Sequence, residues 1–201
     1  MTVPATAKGE ATRAYLLRTA ARMFAEHGYA GTTQSDLIAA SGLTKGAFYF
    51  YFKSKLDLAL AVVAEQEGRW LAHITERVLA EPTALAQLRA VVPALLDLFA
   101  AAPDAWVVMR LCKEFAANPD LPEISKPMAS WVTLVADIIR RGQAEGDLRE
   151  DVDPEAVAEV LVAAFDGLKS LADVLDYAND PDRFASRATT LMTLAEHALL
   201  R

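Results

Sequence analysis

The sequence predicts an all-α chain of about nine helices, a small N-terminal helix-turn-helix domain followed by a larger helical domain. Three observations carry this. The 201 residues are 53% hydrophobic with only nine Gly and nine Pro, and Ala, Leu, Val, Arg and Glu are plentiful, which favours helix over sheet. Apolar residues recur at helical spacing in segment after segment, with no alternation of strand type. Capping residues stand where these periodic segments begin and end.

The elements follow in order. Over residues 10–27, Leu17, Ala20, Ala21 and Phe24 form one apolar stripe, and Gly28 closes the helix. A second helix opens at "TQSD", where Thr33 caps and Asp36 completes a capping box; Leu37, Ile38 and Ala39 supply its apolar side. Gly42 breaks it, and Thr44 caps a third. Two helices around a short Gly-containing turn outline a helix-turn-helix. A longer helix runs from Lys55 to about Leu79 and stops before Pro82. Helices over 83–101, with Pro93 as a kink, and over 104–117 follow, then the Pro-rich loop "NPDLPEISKP". The next helix begins near Met128 and ends at Gly146. The last two open with Asp153–Pro154 and Asp180–Pro181, an N-cap followed by Pro at the first helical position.

Charge divides the chain. Residues 1–55 hold seven Lys/Arg against three Asp/Glu, a balance of +4; the remainder holds 13 against 24, a balance of −11 within a net charge of −7. A basic end on an acidic chain points to a polyanionic partner for that end. The change of sign near Lys53–Lys55 marks a boundary, giving domains 1–54 and 55–201. The lone Cys112 allows no disulfide within the chain and fits a reducing compartment. No signal-peptide core stands at the N-terminus. The apolar run "VVPALLDLFAAAPDAWVVM" is broken by Pro93, Asp97, Pro103 and Asp104 and falls short of a membrane span. A cytoplasmic location, with no membrane partner, is expected.

The segment "TKGAFYFYFKSK", Thr44–Lys55, places four aromatics in five positions between lysines. On a helix, Phe48 and Phe52 share a face at i, i+4 and fit a small core with Leu17, Phe24, Ile38 and Leu43. Lys45 and Tyr49 share a different face. Gly46 lets backbone approach a partner, and Thr44 sits where helix-start amides favour phosphate. Phe50 and Tyr51 are further exposed candidates, and Lys55 opens the next helix within reach of the same partner. A duplex DNA backbone matches this set.

The runs "AARMFAEHGYAGTT", "IAASGLTKGAFY" and "FKSK" together closely resemble the N-terminal domain of TetR-family transcriptional regulators, over about a quarter of the chain. The resemblance implies an all-helical homodimer, a DNA-reading third helix, a C-terminal ligand domain and, usually, repression. By matching position, Gln34 and Ser35 lie near DNA at the start of the second helix, and Thr44, Lys45, Gly46, Tyr49 and Lys55 meet phosphates or base edges. Tyr51 departs from the pattern: many members carry His there, and tyrosine cannot become cationic near neutral pH.

The last two helices carry long apolar sets, and the resemblance implies that they pair with a second subunit; Val160, Leu161, Leu168, Leu191 and Leu194 are the candidates. Two recognition helices related by a two-fold axis would read a near-palindromic operator. In the middle helices, Trp70, Trp106, Met109, Phe115, Trp131 and Phe165 are candidate walls of an effector pocket, with Arg110 or Asp166 as a polar handle. Trp131 after the Pro-rich loop, with "TKGAFYF", is similar to the γ-butyrolactone-receptor branch. His27, His73 and His197 form no ligand spacing, Cys112 has no base partner, and "EGDLREDVDPE" lacks the spacing of a calcium loop. Neither an enzyme nor a bound metal or cofactor is expected. The reading is a DNA-binding repressor released from its operator by a small apolar effector; the alternative is a helical small-molecule-binding protein or adaptor without operator binding.

Overall fold

The computed structural model describes residues 7–177 and 180–201. Among them run nine α-helices: α1 Ala7–His27, α2 Gln34–Ser41, α3 Lys45–Tyr51, α4 Lys55–Val78, α5 Ala84–Ala101, α6 Val107–Ala116, α7 Lys126–Glu145, α8 Pro154–Val174 and α9 Pro181–Leu199. The described residues form no strand, and a single isolated bridge joins Leu148 to Leu200. The all-α expectation holds.

The capping residues act as their positions require. Thr33 accepts the amide of Asp36, and Asp36 accepts the amide of Thr33, so the capping box is complete. Gly42 ends α2 at φ +65°, a left-handed conformation that costs glycine nothing. Thr44 accepts the amide of Ala47 to start α3. Asp153 and Asp180 cap α8 and α9, each followed by proline. Two boundaries differ from expectation. Trp106 offers no side-chain acceptor to an N-terminus, and a single 3-10 turn, Pro103–Trp106, leads into α6. α7 starts two residues early because Pro127 fits a first helical turn, where its missing N–H has no partner to lose.

The chain separates into two compact units. One comprises the described residues of Met1–Arg69 with Asp104–Ser125; the other comprises Trp70–Pro103 with Lys126–Arg201. The first therefore contains α6 and the start of α4 as well as α1–α3, more than the charge boundary marks. Its core is built from Leu16, Leu17, Ala20, Ala21 and Phe24 of α1, with Leu37, Phe48, Phe52 and Leu58. In α2 it is Leu37 that is buried, while Ile38 is half-buried and Ala39 exposed. Adjacent positions on a short helix diverge by 100°, so only one can point fully inward.

The second unit is a bundle of α5, α7, α8 and α9 with the end of α4. By length and composition α5 is apolar enough to cross a bilayer, a stretch that overlaps the interrupted apolar run of residues 91–109 only in part. It packs against α7 and α9 of this bundle, with Leu88, Val92, Ala94, Leu95 and Leu98 buried and Gln87 Nε2 donating to Glu81 O. Its Pro93 removes one helical hydrogen bond without ending the helix. Stacked aromatics continue through the bundle: Trp70 lies on Trp131 with ring centroids 4.3 Å apart, and Phe165 meets both Trp131 and Phe184.

Phe48→Ala removes a ring that is 0% exposed and should cost about 3–5 kcal/mol of stability, read by chemical denaturation. Acid should weaken the start of α2. Hydrogen bonds from the Thr33 hydroxyl and amide hold the Asp36 carboxyl below its ordinary value. A carboxyl depressed by folding stabilises above its unfolded value and loses that contribution as pH falls through its folded one. Amide exchange between about pH 5 and pH 2 should show α2 fraying early in the wild type, and Asp36→Asn should remove this pH dependence.

Candidate nucleic-acid interface and ligand cavity

The turn between α1 and α2 is bonded by side chains from α4 and α6. Gly28 takes φ +75°, and a Cβ there would lie 2.3 Å from Glu114 Oε1. The buried Thr32 hydroxyl donates to Gly28 O at 2.7 Å. Lys55 Nζ donates to Tyr29 O at 2.9 Å and Thr32 O at 3.0 Å, and sits 3.9 Å from the centroid of the Tyr29 ring. Glu114 of α6 accepts from Tyr29 N at 2.7 Å and Ala30 N at 3.1 Å. Arg110 donates to Ala25 O at 2.7 Å and Glu26 O at 3.3 Å, and its Nε to Glu114 Oε1 at 3.1 Å. Phe115 meets the Tyr29 ring edge-on at 4.9 Å.

This corrects three sequence assignments. Lys55 is half-buried and engaged by carbonyls, not presented to a phosphate; partial burial lowers its pKa while the nearby Glu114 charge raises it. Arg110 is committed to the end of α1 rather than serving as the handle of a pocket. Phe115 belongs to the packing around Tyr29. Glu114 was missed altogether, because a carboxylate on a surface-patterned helix gives no sign of amides about 85 residues away in sequence.

Beyond the turn, α3 separates its residues by face. Phe48 and Phe52 are 0% and 2% exposed. Thr44, Lys45, Gly46, Tyr49 and Phe50 are exposed, and a Cβ at Gly46 would meet nothing within 4 Å. Phe50 is 65% exposed, with the half-buried Tyr51 ring edge-on to it at 5.1 Å. Ser35 is exposed in the first turn of α2. Gln34 is half-buried, and its Nε2 is buried with no hydrogen-bond partner among the described residues.

A pocket partly open to solvent lies in the second unit; about 450 Å³ of empty space, open solvent included, falls within its outline. Its walls are Leu88, Val91, Val92 and Leu95 of α5, Trp131 and Val135 of α7, Leu161, Val162 and Phe165 of α8, and Leu191 and Met192 of α9. Of the predicted pocket residues, Trp131 and Phe165 line it, and Trp70 reaches it only by stacking on Trp131. Trp106, Met109, Arg110 and Phe115 do not line it, since their segment belongs to the first unit. Asp166 does not line it either. Leu161 and Leu191, predicted at a dimer interface, line the cavity. Val160 and Leu194 are each 65% exposed, Leu168 is half-buried, and Val174 extends the exposed apolar set. Burial in apolar surroundings, with Glu67 contributing, pushes the Cys112 thiol up to about 11, so it is protonated and inert at neutral pH.

The chain can now be set beside known proteins. Residues 16–62 match bacterial regulatory proteins of the tetR family, and residues 84–200 match the C-terminal domain of BetI-type transcriptional repressors. The HTH-type transcriptional repressor Rv1474c of Mycobacterium tuberculosis is 28% identical over 196 residues, which cover 95% of this chain and 94% of that protein. The A-factor receptor protein of Streptomyces griseus is 27% identical over 157 residues, covering 77% of this chain and 52% of the receptor. A solved structure described as the molecular basis for control of antibiotic production by bacterial hormones is 33% identical, with a TM-score of 0.79, covering 98% of this chain and 100% of that one. With family matches along most of its length, the chain belongs to the TetR family of bacterial regulatory proteins: it is a DNA-binding transcriptional repressor and not an enzyme.

Proposed function

We propose that the chain acts as a homodimer on a near-palindromic operator and leaves it when a small, neutral, apolar effector occupies the cavity of the second unit. The exposed face of α3, opposite the buried Phe48 and Phe52, is the observation that carries this reading. On that face Lys45 supplies charge, Tyr49 a hydroxyl on a rigid stem, Thr44 a further hydroxyl, and Gly46 room for close approach. Ser35 and Gln34 flank it from α2, and Phe50 and Tyr51 extend it toward the DNA. Residues 1–54 read the operator in this proposal, and 55–201 bind effector and dimerise.

The exposed Val160 and Leu194 on α8 and α9, with Leu168 beside them, support a two-fold interface made by those helices. The wholly apolar walls of the cavity support an uncharged effector, because an ion there would lose hydration with no side chain to replace it. The similarity to the A-factor receptor and to the hormone-linked structure supports a signalling molecule, in line with the γ-butyrolactone-receptor branch. Effector release then follows from differential affinity of two conformations, carried along α4, which is continuous from Lys55 to Val78. Such a regulator works in the cytoplasm, at the nucleoid.

Selection of duplexes from a random-sequence pool, followed by titration at two salt concentrations, tests this. Specific, steeply salt-dependent binding is expected; a chain that retains no duplex is the adaptor instead. Lys45→Ala should weaken binding to all sequences and flatten the salt slope by about one unit. Lys55→Ala should leave the slope unchanged and lower stability by about 1–3 kcal/mol, since it removes the donor to Thr32 O and leaves Tyr29 O with only the Thr32 amide.

A further inference from the structure

We propose that Glu114 and Arg110 of α6 are positioning residues for operator binding: together they fix the α1–α2 turn, and the turn fixes the reading helix. The proposal rests on the operator-binding reading above. The bond pattern is specific. Arg110 takes carbonyls of the last turn of α1, groups that no helical amide can satisfy, and its charge suits that end of the helix. Glu114 takes the two amides that follow Gly28. The pair is joined internally at i, i+4, so one guanidinium and one carboxylate grip the chain on both sides of a left-handed glycine. Bonds of this charge-assisted kind are among the stronger ones available to a partly exposed turn.

The path from the turn to α3 is short and stiff. Only Gly31 and Thr32 separate Ala30 from the Thr33 cap, and Thr32 is buried and bonded back to Gly28 O. Two residues, Leu43 and Thr44, join the Gly42 cap of α2 to α3. A displacement at Tyr29–Ala30 therefore has no flexible segment in which to dissipate before α3. Gly28 gives an independent indication: a side chain there would occupy the place of Glu114 Oε1.

The test uses the full chain, Glu114→Gln, Arg110→Lys and a duplex selected by the wild type. Amide exchange at Tyr29 and Ala30 should accelerate in Glu114→Gln while α1 and Phe48 stay protected. Affinity for the duplex should fall about tenfold, as loss of charged hydrogen bonds implies. The salt slope should stay at the wild-type value, because no phosphate contact is removed. Arg110→Lys, which keeps a cation at the end of α1, should retain most of the affinity. Unchanged affinity despite accelerated exchange at the turn would overturn the proposal. So would a slope reduced by about one unit, or loss of protection across the whole first unit in both variants, which would make the pair merely structural. A wild type that retains no duplex overturns the operator-binding reading itself and this proposal with it.

Discussion

The backbone of the α1–α2 turn carries more polar groups than three short helices can satisfy. Helix α1 ends with unpaired carbonyls, and the residues after Gly28 present amides and carbonyls with no ladder to join. Each group left dry and unbonded would cost free energy comparable to a lost hydrogen bond. The chain meets this demand with side chains from outside the motif. Lys55 comes from the start of α4, and Arg110 and Glu114 come from α6. These bonds tie α6, which begins at Val107, to the compact unit that holds α1–α3. A helix-turn-helix of this size has little core of its own; the polar scaffold at its turn supplies definition that burial alone does not.

Local chemistry was legible from sequence because its causes are local. Thr33 with Asp36, Gly42, Thr44 and the two Asp–Pro pairs each act within four residues of themselves, and each does what its type requires. The division of α3 into buried Phe48 and exposed Tyr49 follows from helical geometry alone. What was not legible depended on partners distant along the chain. Periodicity says that Arg110 and Glu114 face away from the buried side of α6, and nothing in it says that the end of α1 is waiting there. Lys55 carried the same ambiguity: a basic residue beside a reading helix suits a phosphate or a carbonyl equally until the turn is placed. In α8 and α9 the apolar residues run around much of each helix. Spacing could not separate Leu161 and Leu191, which wall a cavity, from Val160 and Leu194, which face outward.

The two units solve opposite problems. The first satisfies polar backbone with charged side chains and leaves a mixed polar and aromatic face exposed on α3. The second gathers aliphatic and aromatic side chains around a space they do not fill, with the Trp70–Trp131–Phe165–Phe184 series setting a rigid limit on one side. The two units thereby differ in physical character, one rich in charged hydrogen bonds and the other dominated by dispersion and desolvation.

The open apolar pocket has a thermodynamic consequence. Its walls face water without offering it a hydrogen bond. A molecule seated between Leu88, Trp131, Phe165 and Leu191 would release that water, and the apolar area lost to solvent would register as a negative heat-capacity change on binding. Binding the folded form alone, it would also raise stability by mass action. The heat capacity of the second unit is thus a direct physical measure of how much of its apolar wall remains wet.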